Sequence, residues 1–220
     1  MFLIVFGRIA NIPTDGIPPI LFYLSGITIW NYFSFCITGT SNTFIANAAI
    51  FGKVYFPRLV LPLSVILSNL VKFGIQLLLL LAVMIFYAVR GTTFPISTSL
   101  LMIPLLVAMM AALGLGLGVI ISSITTKYRD FAVLITFAVQ LLMYATPVVY
   151  PLSFLKRNSF SSWIQWNPLS PIMEAFRYAI FHHGSFTAGS LGYSAIFIVS
   201  ILFIGLLLFN RTERTFMDTV

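Results

Sequence analysis

Phe73-Gly74-Ile75-Gln76-Leu77-Leu78-Leu79-Leu80-Leu81-Ala82-Val83-Met84-Ile85-Phe86-Tyr87-Ala88-Val89 decides the fold class of this chain. The run holds no charged side chain. A helix needs about 20 apolar residues to cross the hydrocarbon of a bilayer, and this run nearly meets that length by itself. A membrane β-barrel would instead show short segments of roughly 10 residues, alternating apolar and polar. The run is continuous and rich in Leu, Ile and Ala, so it predicts a transmembrane helix.

The rest of the chain agrees. It has 220 residues, 60% hydrophobic and 8% charged, with mean hydropathy +1.04. Soluble domains carry roughly 25% charged residues, so this chain cannot cover a water-facing surface, and most of its exterior must meet lipid. The expected fold is an all-α integral membrane protein. It has about five complete transmembrane helices, the remnant of a first, and two short helices before the last span. One domain, 1–220, divides into the end of a first span (1–10), a second span (20–40), an elbow (41–62) and a third span (63–89). A fourth span (100–124), a short charged loop (125–131), a fifth span (132–149), a proline-rich region of two short segments (150–184) and a last span (191–209) follow. Residues 1–10 are too short to span, and lack the basic n-region and cleavage site of a signal peptide.

Upstream of the opening run, Gly52-Lys53-Val54-Tyr55-Phe56-Pro57-Arg58-Leu59-Val60-Leu61-Pro62 is a polar interruption richer than a turn requires. Asn69, Lys72 and Gln76 then fall on one helical face. Lys72 either snorkels at the interface or lies deep in the membrane with a functional role. Downstream, Gly114 and Gly118 make a small-xxx-small face suited to close helix packing. In the region 150–184, Ser170 and Pro171 suggest an N-cap and a first helical residue. Glu174 and Arg177, at i and i+3, can pair to hold that helix.

Loops must alternate sides of the membrane. Lys53, Arg58, Lys127, Arg129, Arg211 and Arg214 fall on one side; Arg8, Arg90, Lys156, Arg157 and Arg177 fall on the other. The cation bias makes the first side, with the C-terminus, cytoplasmic. Because the cations sit singly at the ends of apolar runs, the net charge of +7 points to orientation and lipid headgroups, not to nucleic acid.

No enzyme site emerges. Asp15, Asp130, Glu174, Glu213 and Asp218 lie in separate segments, with no pair set for acid–base work. His182 and His183 are adjacent, so on a helix they point about 100° apart and form no chelating face. Cys36 is a lone cysteine in an apolar run, and no metal site is expected. No phosphate-binding G-x-x-x-x-G-K-[ST] motif occurs. A transporter lacking its own energy source needs a partner. Two loops on the same side suit docking: Lys127-Tyr128-Arg129-Asp130-Phe131, and the loop holding Lys53 and Arg58. Each is also compatible with a plain interfacial turn.

These residues resemble the permease subunits of bacterial ABC-2 exporters for O-antigen, capsular polysaccharide and teichoic acid. The likeness rests on Phe6-Gly7-Arg8 with Ile12-Pro13-Thr14-Asp15-Gly16-Ile17-Pro18, on Lys53-Val54-Tyr55-Phe56-Pro57-Arg58 with Leu61-Pro62, and on Lys127-Tyr128-Arg129-Asp130-Phe131. Pro147-Val148-Val149-Tyr150-Pro151 and Asn167-Pro168-Leu169 with Phe176-Arg177 complete it. The resemblance implies a permease homodimer in the inner membrane with a cytoplasmic ABC ATPase, which would hold the ATP and magnesium; this chain holds no cofactor. It implies a lipid-linked polysaccharide as substrate, with teichoic acid or a lipo-oligosaccharide as alternatives; outside the family, a membrane-embedded transferase is a more distant reading that would need a clustered catalytic acid or His. It places residues 128–131 in the coupling element. It makes residues 150–182 periplasmic gate helices, marked by Pro147, Pro151, Asn167, Pro168, Glu174 and Arg177. The family has a complete first span that this chain does not show. On this reading Trp30, Tyr32, Phe33, Tyr144 and Tyr150 line the polymer path, where aromatic faces meet the C–H faces of sugars. Ordinary core or lipid packing is the other reading of each.

Overall fold

A computed structural model describes residues 6–7, 12–47, 59–94, 97–125, 131–155, 164 and 166–217. Every regular element among them is helical. In chain order these are α1 (Pro19–Ser41), α2 (Thr43–Ala46), α3 (Val60–Val89), α4 (Met102–Thr125), α5 (Phe131–Tyr144), α6 (Leu152–Leu155), α7 (Leu169–Phe181) and α8 (Ala188–Met217). A 3-10 turn, Thr98–Leu101, leads into α4. Among the described residues, four helices are long and apolar enough to cross a membrane, namely α1, α3, α4 with its lead-in, and α8. The all-α membrane architecture stands as expected.

The helices form a bundle around α1. This helix is the least apolar of the four, yet 67% of its spanning window is buried, against 11% for α3. Lipid is as apolar as any protein interior, so the lipid-facing helix carries the Leu and Ile and the central one can afford small and polar groups. Several hydroxyls of α1 bond to carbonyls within the helix. Ser25 donates to the Phe22 carbonyl at 2.9 Å, Thr28 to Leu24 at 2.8 Å and Thr38 to Ser34 at 2.7 Å. The polar face of α3 turns toward α1 too. The Asn69 amide donates to the Phe35 carbonyl at 3.2 Å and Asn31 to Gln76 at 3.4 Å. Lys72 is exposed, with its ammonium 5.3 Å from the Phe35 ring centroid.

Glycines set the closest approaches. A Cβ at Gly114 would lie 2.7 Å from Cys36 Cβ, and one at Gly118 would lie 2.6 Å from Thr40 Cβ. The expected small-residue face of α4 therefore packs on α1. Gly116, on another face of α4, meets α8: a Cβ at Gly205 would lie 2.7 Å from the Gly116 carbonyl oxygen.

Two expectations are corrected here. The span expected over 132–149 is helical only to Tyr144, 14 residues. At 1.5 Å per residue that is about 21 Å, short of the ~30 Å hydrocarbon. Pro147 disfavours helix in the residue before it, and residues 145–150 form turns. Second, Ser170 does not cap α7. The helix starts at Leu169, two residues before the expected Pro171, and the Ser170 hydroxyl donates back to the Ile164 carbonyl at 2.7 Å. The cap comes from Asn167, whose Oδ1 accepts the Leu169 N–H at 3.0 Å.

Candidate functional site

The break after α5 leaves backbone carbonyls without helical partners, and side chains from the following segments take them up. The Asn167 amide donates to the Ala145 carbonyl at 3.1 Å and to Thr146 Oγ1 at 3.1 Å. The Tyr150 hydroxyl donates to the Tyr144 carbonyl at 2.8 Å. Arg177 Nη2 donates to the Val148 carbonyl at 2.6 Å. Non-helical backbone within a membrane protein's bundle needs such partners, because lipid offers none.

Arg177 and Glu174 form the centre of this arrangement. They are 1% and 2% exposed, and Arg177 Nη1 donates to Glu174 Oε1 at 3.2 Å. The guanidinium lies over Phe22 of α1, 3.9 Å from the ring centroid. Glu174 also accepts the Leu152 N–H at 3.4 Å and the Ser185 N–H at 3.0 Å. One ion pair thus joins α7 to α1, to the α5 break, to α6 and to the chain leading into α8. Burial draws the Arg177 pKa down to about 10, opposed by Glu174, so the guanidinium stays cationic at neutral pH. Gly26 of α1 makes room: a Cβ there would lie 2.5 Å from the Val148 oxygen and 3.0 Å from Arg177 Nη2.

Further contacts close the same end of the bundle. Ser153 Oγ reaches both carboxylate oxygens of Asp15, at 2.8 and 2.7 Å. Ser99 Oγ, ahead of α4, donates to the Ala179 carbonyl at 3.3 Å. His182 ends α7 in the left-handed region at φ 57° and packs its ring 5.2 Å from Tyr178. Neither histidine continues the helix, which replaces the expected 100° relation.

The six residues expected at the gate, Pro147, Pro151, Asn167, Pro168, Glu174 and Arg177, converge here. The five aromatics expected on a path do not share one surface in this conformation. Trp30, Tyr32 and Phe33 are buried in the protomer, with Trp30 5.4 Å from Phe33 and Tyr32 5.3 Å from Phe73. Tyr144 is half exposed and Tyr150 partly buried. Among the coupling residues, Lys53, Arg58, Lys127, Tyr128, Arg129 and Asp130 lie outside the described residues; Phe131 is exposed at the start of α5. Sequence reasoning missed Phe22, Gly26, Asp15 and Ser153. Gly26 within an apolar run was the one local hint of a close approach.

Replacing Asn167 with Ala removes the α7 cap and both bonds to the broken helix. The expected loss is about 1–2 kcal/mol, read as a lower thermal midpoint of the purified protein. Asn167→Asp keeps the cap acceptor but not the amide donors, so it falls between the two.

Comparison with known proteins fits this geometry. A family model of the ABC-2 type transporter matches residues 1–181. The O-antigen export system permease protein RfbA of Klebsiella pneumoniae is 28% identical over 200 residues, covering 90% of this chain and 74% of that protein. RfbA of Myxococcus xanthus is 27% identical, covering 94% and 78%. The polysialic acid transport protein KpsM of Escherichia coli is 25% identical over 220 residues, covering 98% and 81%. With a helical bundle of this topology and a family match over most of its length, the chain belongs to the ABC-2 type transporter family.

Proposed function

We propose that this chain is the permease subunit of an ATP-driven exporter that moves a lipid-linked polysaccharide across the bacterial inner membrane. The observation that carries the reading is the near full-length likeness to two kinds of polysaccharide permease, RfbA and KpsM. The energy comes from a cytoplasmic ABC ATPase, and two copies of the permease enclose the path. The C-terminus is cytoplasmic, and the end of the bundle holding Arg177 faces the periplasm.

The helix arrangement suits this work. The C-terminal end of α4 and the Arg177 end lie at opposite ends of the bundle, because Ser99, which bonds to α7, precedes α4 and Thr125 closes it. Thr125 Oγ1 donates to the Ser41 carbonyl at 3.0 Å, tying the C-terminal ends of α4 and α1 together. At its other end α1 holds Arg177 through Phe22 and Gly26. On this reading α1 links the C-terminal end of α4 to the gate. Lys72 supplies a cation near the cytoplasmic entrance. Tyr144 and Tyr150 present aromatic rings toward the path, while Trp30, Tyr32 and Phe33 stiffen the wall behind it.

Arg129→Glu tests the coupling role. Its expected result is loss of ATPase co-purification and of surface polymer, with the permease still in the membrane. Intact assembly with normal export would sink the coupling assignment.

A further inference from the structure

An open pocket of about 590 Å³ lies between α6, α7, the segment linking α7 to α8, and the start of α8. That is within the roughly 300–1,000 Å³ range of small-molecule sites. Trp166 and Tyr193 form one corner, their rings 6.0 Å apart at 87°. Trp166 is 70% exposed, so an indole face is free to take a ligand. The corner is held in place: the Tyr193 hydroxyl donates to the Trp166 carbonyl at 3.1 Å, and Ser194 Oγ to the Pro168 carbonyl at 2.8 Å. Ser185 and Thr187 border the cavity as exposed hydroxyl residues. Ser190 and Thr187 brace each other, through Ser190 N–H to Thr187 Oγ1 at 3.2 Å and Thr187 N–H to Ser190 Oγ at 3.1 Å.

The buried carboxylate of Glu174 lines the same cavity. An ionised carboxylate offers about four lone-pair sites. Arg177, Leu152 and Ser185 occupy three, which leaves one acceptor for a ligand hydroxyl. Among the described lining residues Glu174 carries the only charge, and Arg177 faces away into its own partners. An apolar ring face, hydroxyls and a carboxylate acceptor with no cation suit a neutral, hydroxyl-rich ring. They disfavour a phosphate, which an acidic wall repels.

We infer that this cavity is a sugar-binding subsite. It holds one ring of the exported glycan against Trp166, with a ring hydroxyl hydrogen-bonded to Glu174. The site lies beside the gate and differs from the aromatics expected along the path. The inference rests on the exporter reading for its ligand. Its consequence is that an arriving sugar touches the carboxylate that holds Arg177, and through it the α5 break.

The test uses the permease–ATPase complex in phosphatidylcholine nanodiscs. The probe is oligosaccharide released by mild acid from the host's own surface polysaccharide, with binding followed by saturation-transfer NMR. Trp166→Ala is expected to weaken binding roughly tenfold, and Trp166→Phe to restore it to within about threefold. Ser185→Tyr keeps the backbone bond to Glu174 but fills the cavity, and should abolish binding at an unchanged thermal midpoint. Wild-type-like binding by both Trp166→Ala and Ser185→Tyr overturns the assignment. So does no binding by the wild type, or displacement of the oligosaccharide by phosphatidylglycerol, which would mark a lipid-headgroup pocket. Export in a permease-deleted host is measured in parallel. If the wild-type chain restores surface polymer while the cavity binds no sugar, only the subsite falls; if it restores none, the exporter reading falls.

Discussion

Arg177→Met should be the most damaging single substitution in the described part of the chain. It leaves the Glu174 carboxylate buried without its countercharge, the Val148 carbonyl without its donor, and a void over Phe22. Removing one partner of a buried pair costs about 3–5 kcal/mol, a large share of the total stability of a small domain. The expected outcome is a sharply lower thermal midpoint in detergent and little export. Arg177→Lys should not rescue it, since one ammonium cannot reproduce a planar fork that reaches a carboxylate and a carbonyl in different directions. Glu174→Gln alone should also destabilise. The double substitution should cost less than the sum of the singles, by about 0.5–3 kcal/mol, because each single change strands the other charge. Strict additivity would mean that the pair is not coupled, and that α7 is held by packing alone.

The second large effect is expected at Gly205. A methyl there would meet the Gly116 carbonyl oxygen at 2.7 Å. That atom belongs to the α4 backbone and has no rotamer through which to retreat, so α8 must move away from α4. Overpacking of this kind costs about 1–3 kcal/mol, occasionally more. Gly192, on the same helix, provides the control, since a Cβ there meets nothing within 4 Å. Alanine in place of glycine inside a helix gains about 1 kcal/mol in propensity. Gly205→Ala should therefore lower the thermal midpoint, whereas Gly192→Ala should hold or raise it. Equal effects at both positions would remove the α4–α8 seam as a determinant of stability.

Both predictions concern groups whose importance the linear chain conceals. Glu174 and Arg177 are three residues apart, so their pairing was legible as an i,i+3 contact. Their burial was not, since nothing local says that Phe22, Val148, Leu152 and Ser185 converge on them from four other segments. Gly114 and Gly118 were legible as a packing face because their spacing matches one side of a helix. Gly205 lies in a run of Ile and Leu and has no such partner nearby in sequence. Trp30, Tyr32 and Phe33 show the opposite case. A cluster of aromatics in the middle of a span suggested a surface for sugars, yet the central position of α1 encloses them, because helices pack on more than one of its sides, as where Tyr32 meets Phe73 of α3. The Ser170 cap misled for a local reason. Ser-Pro is a good start for a helix, but Asn167 three residues earlier offers a better-placed acceptor and begins the helix at Leu169.

The run 73–89 and the scarcity of charge determined by themselves that this protein is an all-α membrane bundle. Length and hydropathy act locally, and lipid admits few other solutions. Punctuation by prolines, with single cations at the ends of apolar runs, likewise marked where the chain turns. Only the tertiary structure decided which helix is central, where the fifth apolar run breaks, and that the freed carbonyls at that break are met by Asn167 and Arg177. Those outcomes depend on groups brought together from separate segments, 22 residues apart for Asn167 and Ala145 and 138 for Ser153 and Asp15. Hydrogen bonds and close approaches of that kind are set by how whole helices pack, which no local pattern encodes.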